Sequence, residues 1–479
     1  MTDAAEDLVE GDRVELTVGA PAHGGHCVAR LGGEHGRVVF VRHALPGERI
    51  TAEITELHKG YLRADAVEIH EPSPDRVEPP CLFAHPGACG GCDLQHVAGD
   101  AQLRWKSQVL NEQLRRMAGL READVRVEPL PPASSRPGPD DSGQPRARAD
   151  SSPGDDRGSA LVDGVGPGGD RGAVPADDAR PGEGGADDPA RLLGWRSRVR
   201  YAVDAAGRAG LLQHRSHQVV AIDRCRIAHP AIQELDLLAR EWPDADALEA
   251  VASTGGDVAV LAHPAGRGAL PADDVTEAPA LGNGEPTLLQ GPADVRERAA
   301  GRRWSVPVQG FWQVHPAAAE TLTATVVDML RPRAGEVSWD LYGGAGLFAG
   351  ALAARTGART TLVESSPAGV RAARANLADL PVEVVQARVD VALRRRRITA
   401  PVDLVVLDPP RSGAGAAVVK AIAAAEPRAV AYVACDPAAL ARDIATFRDL
   451  GWELSGIRAF DCFPMTQHIE SVALLTRSR

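Results

Sequence analysis

No stretch of this chain approaches the roughly 20 consecutive apolar residues that a membrane helix needs, so no membrane span is expected. The first residues, MTDAAEDLVEGD, carry neither a basic nor an apolar segment of the secretory kind, and a cytoplasmic protein is expected. Cysteine is scarce too: seven in 479 residues, an odd number and too few for a disulfide scaffold. Clustered thiols in a reducing compartment read instead as metal ligands or nucleophiles. Positive charge is in deficit, with 53 Lys and Arg against 65 Asp and Glu, for a net charge of −12. That balance counts against a nucleic-acid partner unless the acid is segregated. The 44% hydrophobic and 25% charged residues that are present suit a soluble globular protein.

The acid is in part segregated. Residues 131–191, with PGPDDSGQPRARADSSPGDDRG typical of them, hold almost no aliphatic side chains, and their acidic residues exceed the basic ones by five. Such a segment cannot bury enough apolar surface to offset its ordering entropy, and it reads as a disordered insert. The remaining chain is closer to neutral, so the global charge does not exclude RNA.

Four regions follow. Residues 1–70 alternate β-rich segments (RVELTV, CVARLG, GRVVFV, RITAEITEL, YLRADAVEI) with glycine turns, the pattern of a small closed barrel. With Arg30, Arg37, Arg42 and Lys59 along it, this segment resembles the TRAM domain, an OB-like RNA-binding barrel. Residues 71–130 and 192–310, on either side of the insert, read as a mixed α+β central domain. There WRSRVRYAVDAAGRAGLLQHRSHQVVAI suggests strands and AIQELDLLAREW a helix. Residues 311–479 alternate helices with apolar strands (EVSWDLYGG, ARTTLVE, VDLVVLDPP, AVAYVACDP), which predicts an α/β, doubly wound parallel sheet with its ligand at the strands' carboxyl ends.

In that last region the first strand runs into Asp340-Leu341-Tyr342-Gly343-Gly344-Ala345-Gly346 and a helix start, where small residues let the backbone approach a ligand. The next strand ends in Glu364, placed to accept from two ribose hydroxyls or simply to face a helix N-terminus. The glycine spacing departs from the dinucleotide fingerprint and fits the class I methyltransferase loop better. Asp408-Pro409-Pro410-Arg411 closes another strand with an acid on a rigid backbone, a signature common among enzymes that methylate nucleic-acid bases. Cys435-Asp436-Pro437 sets a thiol between a strand end and a helix start, where thiolate is favoured. A buried apolar cysteine is the alternative.

Uracil carbon 5 is too poor a nucleophile to take a methyl group from a sulfonium unaided. Thiolate addition at carbon 6 makes carbon 5 an enolate carbon, and a base must then remove its proton. Glu470, in DCFPMTQHIE just before the last apolar strand, is the candidate base, and His468 reads either as a proton carrier or, equally, as a satisfied surface histidine.

DPPRSGAG, VACDPAALARD and DCFPMTQHIE, in this order, resemble the closing motifs of the RNA 5-methyluridine methyltransferase family, and GFWQVHP resembles its segment ending in Gln-Val-Asn. The resemblance covers the chain apart from the insert. It implies Cys435 as nucleophile and Glu470 as base. It also implies that Gln313, Tyr342, Gly344, Glu364 and Asp408 hold S-adenosylmethionine and help place the target base. His315 and Leu347 stand where the family usually has Asn.

Cys81, Cys89 and Cys92 in CLFAHPGACGGCDLQH, with the distant Cys225, suit tetrahedral metal ligation, by zinc or by an iron–sulfur centre. CGGCDLQH resembles the family's iron–sulfur loop, implying a [4Fe–4S] cluster with a structural or RNA-contacting role, although Cys81 and Cys89 are further apart than usual. Cys27 and Cys462 are expected to be unligated.

The expected protein is thus a monomeric uridine-5 methyltransferase acting on tRNA or ribosomal RNA. Cytosine-5 methylation, or a catalytically silent iron–sulfur RNA-binding protein, are the alternatives. Deleting about Ser134 to Asp188 should leave soluble, active protein, because a polar loop contributes little core; insoluble product on expression would show a folded segment there.

Overall fold

The computed structural model describes residues 8–33, 35–132, 188–266 and 284–478. Residues 133–187, nearly all of the segment read as a disordered insert, lie outside the described residues. The described part begins with β1 (Arg13–Ala22), β2 (His26–Leu31), β3 (Arg37–Arg42), β4 (Arg49–Leu57) and β5 (Tyr61–Glu71). These close into a barrel in the order β1-β2-β3-β5-β4, with β4 returning to β1. Period-two burial drives the closure: Ile50, Ala52 and Ile54 of β4 and Leu62, Ala64 and Ala66 of β5 point inward. A closed barrel leaves no edge strand to pair with another chain.

Next come α1 (Gly99–Met117), β6 (Val127–Pro129), α2 (Pro189–Leu192), β7 (Arg198–Val203), β8 (Ala209–Leu212), β9 (Val219–Ala221), α3 (Pro230–Gln233), β10 (Ala245–Ala252), β11 (Val258–Pro264) and β12 (Thr287–Gln290). Strands β7–β12 form a six-stranded antiparallel sheet ordered β12-β11-β10-β7-β8-β9. The helix expected over AIQELDLLAREW is only the single turn α3. Tertiary pairing overrides the local pattern there: the Trp242 indole donates to the Leu237 carbonyl, and Trp242 N bonds to Gly207 O at 2.7 Å. A hairpin of β13 (Asp294–Ala299) and β14 (Arg302–Pro307) follows.

The C-terminal region contains α4 (Ala318–Leu330), β15 (Ser338–Leu341), α5 (Leu347–Thr356), β16 (Thr360–Glu364), α6 (Pro367–Asn376), β17 (Val382–Gln386), α7 (Val389–Arg394), β18 (Leu404–Leu407), α8 (Ala416–Ala424), β19 (Ala429–Ala434), α9 (Pro437–Asp449), β20 (Trp452–Asp461) and β21 (Glu470–Arg477). Its eight-stranded sheet runs β17-β16-β15-β18-β19-β21-β20-β6. The five strands β17 to β19 are mutually parallel, and β21 is inserted antiparallel between β19 and β20. Helices cover both faces. Leu404 and Val406 of β18, with Ala431 and Val433 of β19, pack on the α4–α5 side. The alternate residues Val405, Leu407, Val430 and Tyr432 pack on the α7–α9 side. Burial on both faces is why these strands read as unbroken apolar runs.

Residues 99–129, grouped above with the central domain, supply α1 and β6, and β6 extends this sheet along β20. A short strand beyond an edge finds its partner only in the tertiary fold, so its allegiance is not visible locally. Among the described residues no helix is long and apolar enough to cross a membrane.

Lys106 of α1 is fully buried, and its Nζ donates to Asp461 Oδ1 at 2.6 Å and to Phe463 O at 3.0 Å. Removing one member of a buried pair leaves the other charge uncompensated, so Lys106→Met should destabilise the chain by roughly 3 kcal/mol in urea denaturation. A loss within error of zero would show the pair to be solvated.

Candidate active site

The sheet brings together residues that are far apart in the sequence. Tyr342 and Gly344 follow β15, Glu364 ends β16, Asp408 follows β18 and Cys435 follows β19. Glu470 opens β21, whose reversed direction puts its first residue at the carboxyl ends of its neighbours. Gln313 comes from the segment before α4. All seven line one cleft of about 980 Å3, at the point where the strand order reverses between β15 and β18.

The loop after β15 is built for close approach. A Cβ on Gly343 would lie 2.5 Å from the Leu362 side chain, and one on Gly346 (φ +99°) would lie 2.5 Å from Leu377. Tyr342 itself sits in the left-handed region at φ 66°, where a non-glycine residue is strained. Beneath the loop, buried Asp340 accepts from Ala349 N of α5 at 2.7 Å. Burial, then repulsion from Asp408 and Glu364, pushes its carboxyl up to about 7. Glu364 accepts from Gly344 N at 3.0 Å and from Ser366 N at 2.5 Å. Its carboxylate therefore shapes the glycine loop and the start of α6 while also lining the cleft.

The Asp443 carboxylate fixes the loop after β18, accepting the Tyr432 hydroxyl at 2.7 Å, Ala414 N at 2.8 Å and Gly415 N at 3.1 Å. The pairing Ala434–Ser471 continues to place Cys435 beside Glu470 across β19 and β21. Glu470 is buried, its Oε1 has no hydrogen-bond partner, and burial followed by Asp408 repulsion raises its carboxyl well above the usual range. Burial also pushes Asp408 up to about 7.

The thiol differs from the sequence expectation. The start of α9 does not yield a ready thiolate: burial, then the charges of Glu470 and Asp408, push Cys435 up to about 12. The Asp436 carboxylate already caps the helix, accepting from Ala439 N at 2.7 Å. His468 lines the cleft as a neutral imidazole, held at about 3 by burial and then by the Arg411 charge, and its Nε2 lies 3.4 Å from Arg411 Nη2. His315 is buried, stacks on Trp195 and accepts from Ala317 N through Nδ1, and Leu347 is core at the start of α5.

The sequence reading missed several lining residues. Phe311, 70% exposed, and Phe463 present rings to the cleft, and Arg388 reaches it from the turn after β17. The alternation in VEVVQ was the available signal for that strand.

Cys81, Cys89, Cys92 and Cys225 line a second, small cavity with Phe83, Leu211, Ile227 and Arg196. Burial pushes Cys89 up to about 11 and raises Cys92 and Cys225. Among the described residues no three His, Cys, Asp or Glu side chains are drawn closely enough together to hold a single metal ion. Cys27 and Cys462 are buried elsewhere, Cys27 donating to Ala44 O.

Because Cys435 is held as a thiol, its alkylation by iodoacetamide, followed by site-resolved mass spectrometry, should keep rising about tenfold per pH unit from pH 7 to 10. An ordinary cysteine, with a pKa of about 8.5, levels off within that range. A plateau anywhere below pH 10 would show that Cys435 ionises like an ordinary cysteine.

Known proteins resemble this chain along nearly its whole length. The TRAM domain profile matches residues 8–67, and the profile described as tRNA (Uracil-5-)-methyltransferase matches residues 302–478. An uncharacterized RNA methyltransferase of Streptomyces avermitilis is 44% identical, with 97% of this chain and 98% of the relative covered. One from Streptomyces coelicolor is 43% identical, with 97% and 93% covered. The Pyrococcus abyssi tRNA (uracil-54, C5)-methyltransferase, solved with S-adenosyl-L-homocysteine, shares the fold at a TM-score of 0.63 and 21% identity, over 96% of this chain and 99% of that one. This chain belongs to the RNA methyltransferases of the tRNA (uracil-5-)-methyltransferase family, with a TRAM barrel ahead of the catalytic domain.

Proposed function

We propose that the protein transfers a methyl group from S-adenosylmethionine to carbon 5 of a uridine in tRNA or ribosomal RNA, through a covalent adduct with Cys435. The observation that carries this reading is the pairing of β19 with β21, which sets a thiol and a carboxyl side by side in one cleft. Gln313, Tyr342, Gly344, Glu364 and Asp408 hold the methyl donor and help place the base. When bound, S-adenosylmethionine supplies an electrophilic methyl on a positively charged sulfur, a charge that favours the ionised forms of nearby carboxyls and thiols.

The target uridine must leave its stack to enter the cleft, and the exposed Phe311 ring offers it a face to stack on. Cys435 first loses its thiol proton to solvent; the thiolate sulfur then bonds to carbon 6, and the electrons of the 5,6 double bond shift into an enolate. Carbon 5 takes the methyl group as the sulfur–methyl bond breaks. Glu470 then removes the carbon-5 proton, the 5,6 double bond re-forms, and the thiolate leaves.

The same reading assigns Cys81, Cys89, Cys92 and Cys225 as ligands of a [4Fe–4S] cluster. A single zinc ion bonds its thiolates at about 2.3 Å and gathers them tightly. What supports a metal group of either kind is that all four thiols line one cavity, and the resemblance of CGGCDLQH to an iron–sulfur loop favours the cluster. We take the enzyme to be a cytoplasmic monomer.

Glu470→Gln should form the adduct and transfer the methyl but release product slowly, since glutamine keeps the shape without the base. With RNA and S-adenosylmethionine it should accumulate a denaturation-resistant, methylated protein–RNA species. Cys435→Ala should form none, and should methylate nothing while still binding S-adenosylmethionine. Free methylated RNA from Glu470→Gln at the wild-type rate, with no trapped species, would sink the assignment of the base.

A further inference from the structure

The loop 461–470 carries Phe463, His468 and Glu470 into the cleft, yet much of what holds it comes from a different part of the chain. Lys106 of α1 binds Asp461 and Phe463 O. Gln102 Oε1 accepts from Met465 N at 2.9 Å. Asp93 N and Leu94 N both donate to Met465 O, at 3.1 and 2.9 Å. The Asp93 carboxylate accepts from Gln467 N at 3.1 Å. Met465 sits at φ 66°, and strained backbone of this kind persists only where its surroundings over-determine it.

Asp93 is also where the barrel meets the loop. Its other carboxylate oxygen lies 3.5 Å from Arg42 Nη2 of β3. The turn between β1 and β2 packs against it so tightly that a Cβ on Gly25 would stand 2.9 Å from the Asp93 Cβ. The same turn reaches the catalytic elements directly. Gly24 N donates to Gln467 Oε1 at 3.1 Å, and His23 Nε2 lies 2.9 Å from Asp436 Oδ2, the cap beside Cys435.

We propose that Asp93 is a positioning residue for the loop that carries Glu470, and that the barrel turn 23–25 completes this clamp from the other side. The barrel then acts on catalysis by fixing the active-site loop, whatever RNA surface it also offers. The inference rests on the roles given above to Cys435 and Glu470. A loop displaced by about 1 Å in such a site costs up to two orders of magnitude in rate, so a hydrogen bond remote from the reacting atoms has a measurable effect.

The test compares full-length Asp93→Ala, which loses the acceptor for Gln467 N, with Asp93→Asn, which keeps one. Amide hydrogen exchange over residues 463–470 should be roughly tenfold faster in Asp93→Ala and near wild type in Asp93→Asn. With total RNA from a strain lacking the gene, kcat should fall about tenfold in Asp93→Ala, with the KM for S-adenosylmethionine little changed, and recover in Asp93→Asn. Unchanged exchange, unchanged kcat, or equal impairment of the two variants would each overturn the proposal. If Asp93→Ala is insoluble, the partly exposed His23 carries the test: His23→Ala should lower kcat severalfold and His23→Gln, which keeps a donor for Asp436, should restore it. Wild-type kcat in His23→Ala would then overturn the clamp. Failure of the wild-type protein to methylate RNA would refute the proposed reaction instead, while the exchange comparison would still decide whether Asp93 holds the loop.

Discussion

Three carboxyls and a thiol crowd the carboxyl edge of the C-terminal sheet, and they cannot all ionise there without a counter-charge. Asp340 and Asp408 are pushed up to about 7, Glu470 well above its usual range and Cys435 to about 12. Desolvation is the leading cause in each case, and for Asp340, Glu470 and Cys435 the neighbouring acids add to it. Such groups cost stability when charged and alone, so their arrangement makes sense around a ligand that carries positive charge. The backbone offsets part of that cost: Ala349 N at the start of α5 serves Asp340, while Glu470 Oε1 has no partner.

That constraint explains the care with which the surrounding backbone is held. The loop after β15 needs glycine at 343 and 346 because Leu362 and Leu377 leave no room for a side chain. The loop after β18 is pinned by Asp443, and the loop before β21 by Asp93, Gln102 and Lys106. Two non-glycine residues at positive φ, Tyr342 and Met465, lie in these loops. Strain of this kind persists only where the surroundings over-determine the backbone, as these hydrogen bonds do.

Through Asp93, one residue after Cys92, the barrel, the cysteine loop and the catalytic loop meet in a single junction. The segment before the insert thus belongs physically to the catalytic domain, since α1 and β6 complete its sheet and Lys106 fills its core. The division of the chain into successive domains is looser in space than in sequence.

Much of this could be read in the sequence because the information was local. Alternation in RITAEITEL gave a barrel strand, apolar runs such as VDLVVL gave buried parallel strands, and residues at strand ends gave Tyr342, Glu364, Asp408 and Cys435 a common side. The antiparallel insertion of β21 was not visible in this way, and it alone sets Glu470 beside Cys435. Nor was the protonation of the thiol: a helix start nearby suggested thiolate, but desolvation and two neighbouring carboxyls, set by residues 27 and 35 positions away, outweigh it. Local pattern determined which elements form and which side chains end them. The tertiary structure decided which of those ends face one another and how far from water they lie, because electrostatic energies depend on distance and dielectric, and neither is a property of the sequence alone.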